Sequence, residues 1–223
     1  MIGNCSFKAS HYKEVLQNAL AKKYIFLTFR EFVRREKELN AGQKVILMRH
    51  DIDHKLSLVQ NFLIIENSLG IKATYFIRMH GGYNPMSFEN HSIVKDLSSA
   101  GHELGLHYDA AFARLFKEDP ENFFKRDKDI FERIINAKIS GVSCHEPNNS
   151  DGEFLVTDEN KDKFDLLYQA YSSLFLKDMK YISDSSARWR EGCMCSFIEK
   201  EVPRLCILTH PLWWHQRSPS ENY

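Results

Sequence analysis

Residues 45 to 55 read VILMRHDIDHK, an apolar run that closes on two aspartates, two histidines and an arginine. A strand that only had to turn would end in Gly, Asn or Pro. An Asp-x-Asp pair flanked by imidazoles instead offers carboxylates for proton transfer or for holding a cation. Capping a following helix is the ordinary alternative for strand-end aspartates. The pattern recurs: GHELGLHY carries His107 near its end, ISGVSCHE carries His145 and RLCILTHP carries His210. Six of the ten histidines (His50, His54, His102, His107, His145, His210) fall within or just beyond runs of this kind.

Along a strand, residues i and i+2 face the same way and i+1 faces opposite. Asp51 and Asp53 therefore point together with Arg49, while His50 and Ile52 point away, which makes His50 a structural histidine. His102 and His107 are five apart and face opposite sides, so His107 is the site candidate. His54 and His102 are read as structural.

These side chains need elements that bring them together. Candidate strands lie at 44–53, 72–78, 101–108, 139–146, 179–186 and 204–211, most of them separated by stretches long enough for a crossover helix. That alternation favours parallel pairing. Ser10 is positioned to cap a helix running to about Lys22, and Thr28-Phe-Arg-Glu31 has capping-box spacing ahead of a second. LSLVQNFLIIENSLG should form a helix closed by Gly70, and Asp119-Pro120 should open one with Phe124, Phe131, Ile134 and Ile135 as its apolar residues. Parallel α/β sheets place their sites at the carboxyl ends of the strands, where these polar residues fall.

The chain has 223 residues with no linker, repeat or low-complexity block, so one domain is expected. Lys+Arg and Asp+Glu both number 30, which leaves no net field to recruit nucleic acid or an anionic membrane. The expected partner is a small molecule or carbohydrate. No apolar run approaches the ~18 residues of a membrane span. The start MIGNCSFKAS lacks the layout of a secretory leader, so a cytoplasmic location is expected. Cys5, Cys144, Cys193, Cys195 and Cys206 lack paired C-x-x-C spacing and are expected to be free thiols, with a soft-metal role for Cys193 and Cys195 the lesser alternative.

In this order the segments HDID, KATYFIR, GHELGLH, CHEP and LTHP resemble the motifs of the polysaccharide deacetylase superfamily (NodB homology, carbohydrate esterase family 4), in a divergent branch with an Asp-x-Asp first motif. The resemblance covers roughly residues 45 to 211. It implies an α/β fold, a distorted (β/α) barrel of about seven strands. Residues 1–43 would form N-terminal helices, 44–211 the barrel that carries the motifs, and 212–223 a tail, all in a single domain. It also implies one divalent metal ion, with Asp51 as general base, Asp53 and His107 as ligands, and His210 as general acid oriented by Asp184.

Two departures from the family pattern stand out. The usual second ligand histidine, four residues beyond the first, is replaced by Ala111, which leaves Asp109 or His145 to complete the metal, and His145 is preferred. Where the family has an arginine bonded to the catalytic aspartate, this chain has His145, followed by the expected Pro147. One carboxylate and two imidazoles suit zinc first, then cobalt, nickel or manganese. Arg49, on the face of Asp51, and Trp213, just beyond His210, are read as substrate contacts. The tryptophan pair Trp213-Trp214 could equally cover an apolar edge.

The function expected from this resemblance is metal-dependent N-deacetylation of an amino sugar or nucleotide-sugar precursor in polysaccharide biosynthesis. The alternatives are a degenerate carbohydrate-binding barrel and a metal-dependent amidohydrolase for a non-sugar amide. The polar stretch 148–170 has a length that often carries function, as a lid would.

Overall fold

A computed structural model describes residues 5–40, 42–146 and 154–223. The chain opens with α1 (Ala9–Ala21), β1 (Ile25–Leu27) and α2 (Phe29–Arg35), then enters β2 (Val45–Ile52). There follow α3 (Gln60–Ser68), β3 (Thr74–Arg78), α4 (Phe88–Ser99), β4 (Glu103–Tyr108), α5 (Ala110–Leu115), α6 (Pro120–Ile135) and β5 (Gly141–Cys144). The last third holds β6 (Tyr168–Gln169), α7 (Ser173–Leu176), β7 (Lys180–Ser183), α8 (Met194–Glu199) and β8 (Arg204–Thr209).

Local chemistry sets most of these boundaries. At α2 the Thr28 hydroxyl accepts the Glu31 N–H at 3.2 Å and the Glu31 carboxylate accepts the Thr28 N–H at 2.9 Å, the capping box that the sequence predicts. Asp119 caps α6 by accepting the Asn122 N–H at 2.9 Å, ahead of Pro120. Beyond α3 the chain turns through Gly70 at φ +67°, a left-handed conformation that glycine adopts without strain. Ser10 does not cap α1. Lys8 holds that position because the Ala9 N–H donates to the His215 carbonyl at 2.8 Å, so a tertiary contact sets the start.

The strands pair in parallel in the order β6-β5-β4-β3-β2-β8-β7. β1 pairs with Val45 to Leu47 on the edge of β2 that β3 takes over from Arg49 onward. β6 and β7 end the path, so the barrel stays open between them. This is the distorted barrel expected, with β1 and β6 too short to show a strand pattern in the sequence.

The sheet is buried on both faces. Ile46, Met48, Ile52, Tyr75, Ile77, Leu104 and Leu106 pack outward against Leu16, Phe62, Leu97 and Phe131 of the helices. Val45, Leu47, Phe76, Tyr168 and Cys206 turn inward and fill the barrel with Phe29 and Phe175. A Cβ on Gly105 would stand 2.5 Å from the Phe76 ring, so the glycine inside GHELGLH is what admits that ring to the interior.

His50 and His102 are structural, as their outward register predicts. His50 Nε2 lies 2.8 Å from Glu66 Oε1, which also accepts the Tyr12 hydroxyl at 2.5 Å, while Glu66 Oε2 accepts the Tyr75 hydroxyl at 2.6 Å. His102 Nδ1 accepts the Ala73 N–H at 3.2 Å, and burial lowers its pKa to about 4. Val156, Phe164 and Leu166 are buried, so residues 154–170 form packed wall. Pro147 and the first part of the polar stretch, 148–153, lie outside the described residues.

Candidate metal centre and active site

Five strand ends converge. Asp51 lies near the end of β2 with Asp53 just beyond it, and His107 near the end of β4. His145, Asp184 and His210 follow β5, β7 and β8 directly. All except Asp184 line one cleft of about 1140 Å³, and Asp184 lies fully buried behind His210. His54, read as structural, instead stands exposed at the rim of the same cleft.

One carboxylate oxygen of Asp53 and one ring nitrogen each of His107 and His145 lie within 4.8 Å of one another. His107 Nδ1 donates to the Ser143 carbonyl at 3.1 Å, which leaves Nε2 facing the cleft, 3.1 Å from Asp53 Oδ1. His145 Nδ1 is held by Asp109 Oδ1 at 3.0 Å, so its Nε2 also turns inward, 4.0 Å from the same Asp53 oxygen. Asp53 Oδ1 is buried without an aligned donor among the described residues. Two inward imidazole nitrogens and a buried carboxylate oxygen form a donor set that could hold a divalent cation. Burial opposes ionisation of Asp53, but the His107 imidazole outweighs it and its carboxyl titrates below the ordinary value. Asp109 is committed elsewhere, since both its oxygens accept from Arg78 at 2.7 to 3.1 Å.

Arg49 requires a correction. It is fully buried, beneath the cleft floor rather than facing a substrate. Its Nε and Nη2 donate to the two oxygens of Asp51 at 2.8 and 2.7 Å, and its guanidinium lies 4.6 Å from the Tyr171 ring and 5.4 Å from the Phe76 ring. The register that puts residues 49 and 51 on one face also puts them within a bidentate bond of each other. Arg49 thus bonds the aspartate that the resemblance would pair with an arginine at position 145, and His145 turns toward Asp53 instead. Burial opposes the Asp51 anion, yet Arg49 holds its carboxyl far below the ordinary range.

His210 Nδ1 is 2.6 Å from Asp184 Oδ1, and its backbone N–H donates to both Asp184 oxygens at 3.0 Å. The indole N–H of Trp214 also donates to Asp184, at 2.8 Å. Burial disfavours the imidazolium, but the Asp184 carboxylate overcomes it and lifts the His210 pKa to about 9. His210 Nε2 is left 3.9 Å from Asp53 Oδ2 at the cleft surface.

The fold has counterparts among solved structures. The chitin deacetylase of the fungal pathogen Colletotrichum lindemuthianum aligns at 14% identity and a TM-score of 0.52, over 82% of this chain and 81% of that one. The peptidoglycan deacetylase PdaC from Bacillus subtilis aligns at 14% and 0.52, over 82% of each chain. This chain has the polysaccharide deacetylase fold. A mutant of BA3943 from Bacillus anthracis, described as a CE4 family pseudoenzyme with restored enzymatic activity, matches at 17% identity and a TM-score of 0.51, over 77% of this chain and only 58% of that one. No protein-family model matches the sequence, and no curated protein does.

Within this deacetylase fold the tryptophan pair divides its roles. Trp214 is buried and covers an apolar edge against Tyr12, Phe62 and Phe7. Trp213 lines the cleft, its indole N–H buried without a partner among the described residues. Ser143, Tyr171 and Arg78 are site residues that the sequence reading passed over. Ser143 shares a face with His145 two residues on, the signal that could have found it, and its hydroxyl donates to Asp51 Oδ2 at 3.3 Å.

Proposed function

We propose that the protein is a metal-dependent N-deacetylase for a small amino sugar or nucleotide-sugar, working in the cytoplasm on a precursor of polysaccharide. The observation that carries this is the buried oxygen of Asp53 beside the inward nitrogens of His107 and His145, with Asp51 bonded to Arg49 and His210 bonded to Asp184 in the same site. Zinc is the ion preferred for one carboxylate and two imidazoles. Held by Asp53, His107 and His145, it would polarise the amide carbonyl and acidify a water.

The chain's own residues would do the rest. Asp51, kept as an anion by Arg49, accepts a proton from the attacking water. A carboxylate held so far down is a weak base, and it suits a water that is already acidified. His210, kept protonated by Asp184, donates to the departing amine nitrogen. Trp213 offers a flat apolar ring to a sugar. Arg188 and Arg190, exposed on the cleft wall, suit the phosphates of a nucleotide-sugar.

The test is acetate release from a nucleotide-linked N-acetyl sugar and from an N-acetyl oligosaccharide, after chelation and after return of zinc, cobalt, nickel or manganese. Release that returns with metal and is abolished by Asp53→Ala is expected. A protein that binds metal and these sugars but releases acetate from neither would be the degenerate binding barrel.

A pH profile follows from the His210 pKa. The general acid works only when protonated, so kcat/KM should fall as pH rises through about 9. Asp184→Asn removes the group that lifts this pKa, and the basic limb should move down toward 6.5, the ordinary histidine value. A limb that stays in place would exclude His210 as the acid.

A further inference from the structure

We propose that Cys5, His11, Cys193 and Cys195 form a second metal centre, a Cys3His zinc site that fastens the N-terminal segment and α1 to one wall of the cleft. Their four ligand atoms lie within 4.8 Å of one another. Cys5 Sγ is 3.4 Å from Cys195 Sγ, and His11 Nε2 is 3.3 Å from Cys193 Sγ. Ligands about 2.3 Å (sulfur) and 2.0 Å (nitrogen) from one zinc at tetrahedral angles stand roughly 3.5 to 3.8 Å apart, so small shifts close the shell. A disulfide would need about 2.05 Å between sulfurs, so the Cys5 and Cys195 contact is not one.

The surroundings agree with a cation rather than with packed thiols. Small apolar packing accounts for buried cysteines, and Cys193 and Cys195 are buried. It does not account for an imidazole, only 4% exposed, that turns Nε2 onto a thiol and leaves Nδ1 buried without a hydrogen-bond partner among the described residues. Coordination through Nε2 places the remaining ring proton on Nδ1, where the Glu14 carboxylate stands 3.8 Å away on the same helix. That is the outer partner that metal-binding histidines generally have. Zinc binding would displace three thiol protons and leave three thiolates and a neutral imidazole around the dication, a net charge of −1.

The place of the cluster gives it a task. Cys193 and Cys195 follow directly on the segment whose Arg188, Arg190 and Gly192 line the cleft. Trp189 of that segment stacks on Phe7, ring centroids 6.2 Å apart, and Phe7 lies between Cys5 and His11. The site would hold that wall in position from behind. It shares no ligand with the Asp53 group and does not rest on the deacetylase reading.

Cobalt substitution of the full-length protein tests this, because a thiolate-to-cobalt charge-transfer band cannot arise at an Asp-His-His site. The band is expected in the wild type and in Asp53→Ala, and it should vanish in Cys193→Ser/Cys195→Ser together with one zinc equivalent per chain. Cys5→Ser, at an exposed position, should keep the fold and weaken zinc retention by at least ~10-fold in competition with a chromophoric chelator. Absence of the band in the wild type overturns the proposal. So does a band that survives the double substitution, or a Cys5–Cys195 disulfide in freshly isolated, zinc-free protein.

Discussion

Asp51→Asn is expected to lower kcat by ~10²- to 10⁴-fold, the usual cost of losing a positioned general base. The amide keeps the shape of the carboxylate but accepts no proton at neutral pH. Metal content should stay unchanged, since Asp53, His107 and His145 are intact, and metal analysis beside the rate separates lost chemistry from lost cation. A second effect comes from below. Arg49 is fully buried with Asp51 as its carboxylate partner, so the substitution leaves an uncompensated interior cation. Removing one member of a buried pair costs about 3–5 kcal/mol. The double variant Arg49→Met/Asp51→Asn should recover stability in urea without recovering turnover. Turnover within a few-fold of wild type in metal-loaded Asp51→Asn would end the case for Asp51 as base.

The residues that sequence reading placed well are those governed by short-range rules. Period-two alternation put Asp51 and Asp53 together, sent His50 to the helices and separated His107 from His102, because strand geometry leaves no other choice. The capping box at Thr28 and the Pro120 helix start were legible for the same reason. What could not be read was partnership across strands. Arg49 and Asp51 share a face, but whether an arginine there meets solvent or an anion depends on Tyr171 and Phe76, which close over it from elsewhere in the chain. The assignment of His145 turned on that arginine. The cysteine cluster was harder still, since Cys5 and Cys195 are separated by 190 positions and no local spacing announces their meeting. Trp213 and Trp214 are adjacent in sequence yet have opposite fates, because the chain turns there through a short 3-10 segment, Pro211–Trp213.

Glu66 lies on the helix side of β2, away from the cleft, and its removal should damage the fold about as much as breaking the Arg49–Asp51 pair. Its carboxylate is fully buried and serves the Tyr12 hydroxyl, the Tyr75 hydroxyl and His50 Nε2 at once. Glu66→Ala leaves these groups without their acceptor, each unmet bond costing about 1–3 kcal/mol, with losses that do not add fully. A total of about 3–5 kcal/mol is expected. For a domain with ~5–15 kcal/mol in all, that approaches unfolding. Urea melts read this directly, and a loss under about 1 kcal/mol would show that the hub is not a stabilising one. The pH dependence has a definite sign. Burial opposes the Glu66 anion, but His50 outweighs it and holds the carboxyl below its ordinary 4.5. The stabilisation is therefore complete above that value and is lost as pH falls through the depressed pKa, so Glu66→Gln should flatten the acid limb of the stability curve. The effect should reach the cleft. His50 stands between Arg49 and Asp51, and its Nδ1 lies 2.6 Å from the hydroxyl of Thr209, the neighbour of His210. A loosened hub frees the ends of β2 and β8 together, the two strands that carry the proposed base and acid, so metal-loaded Glu66→Gln should lose kcat before it loses metal.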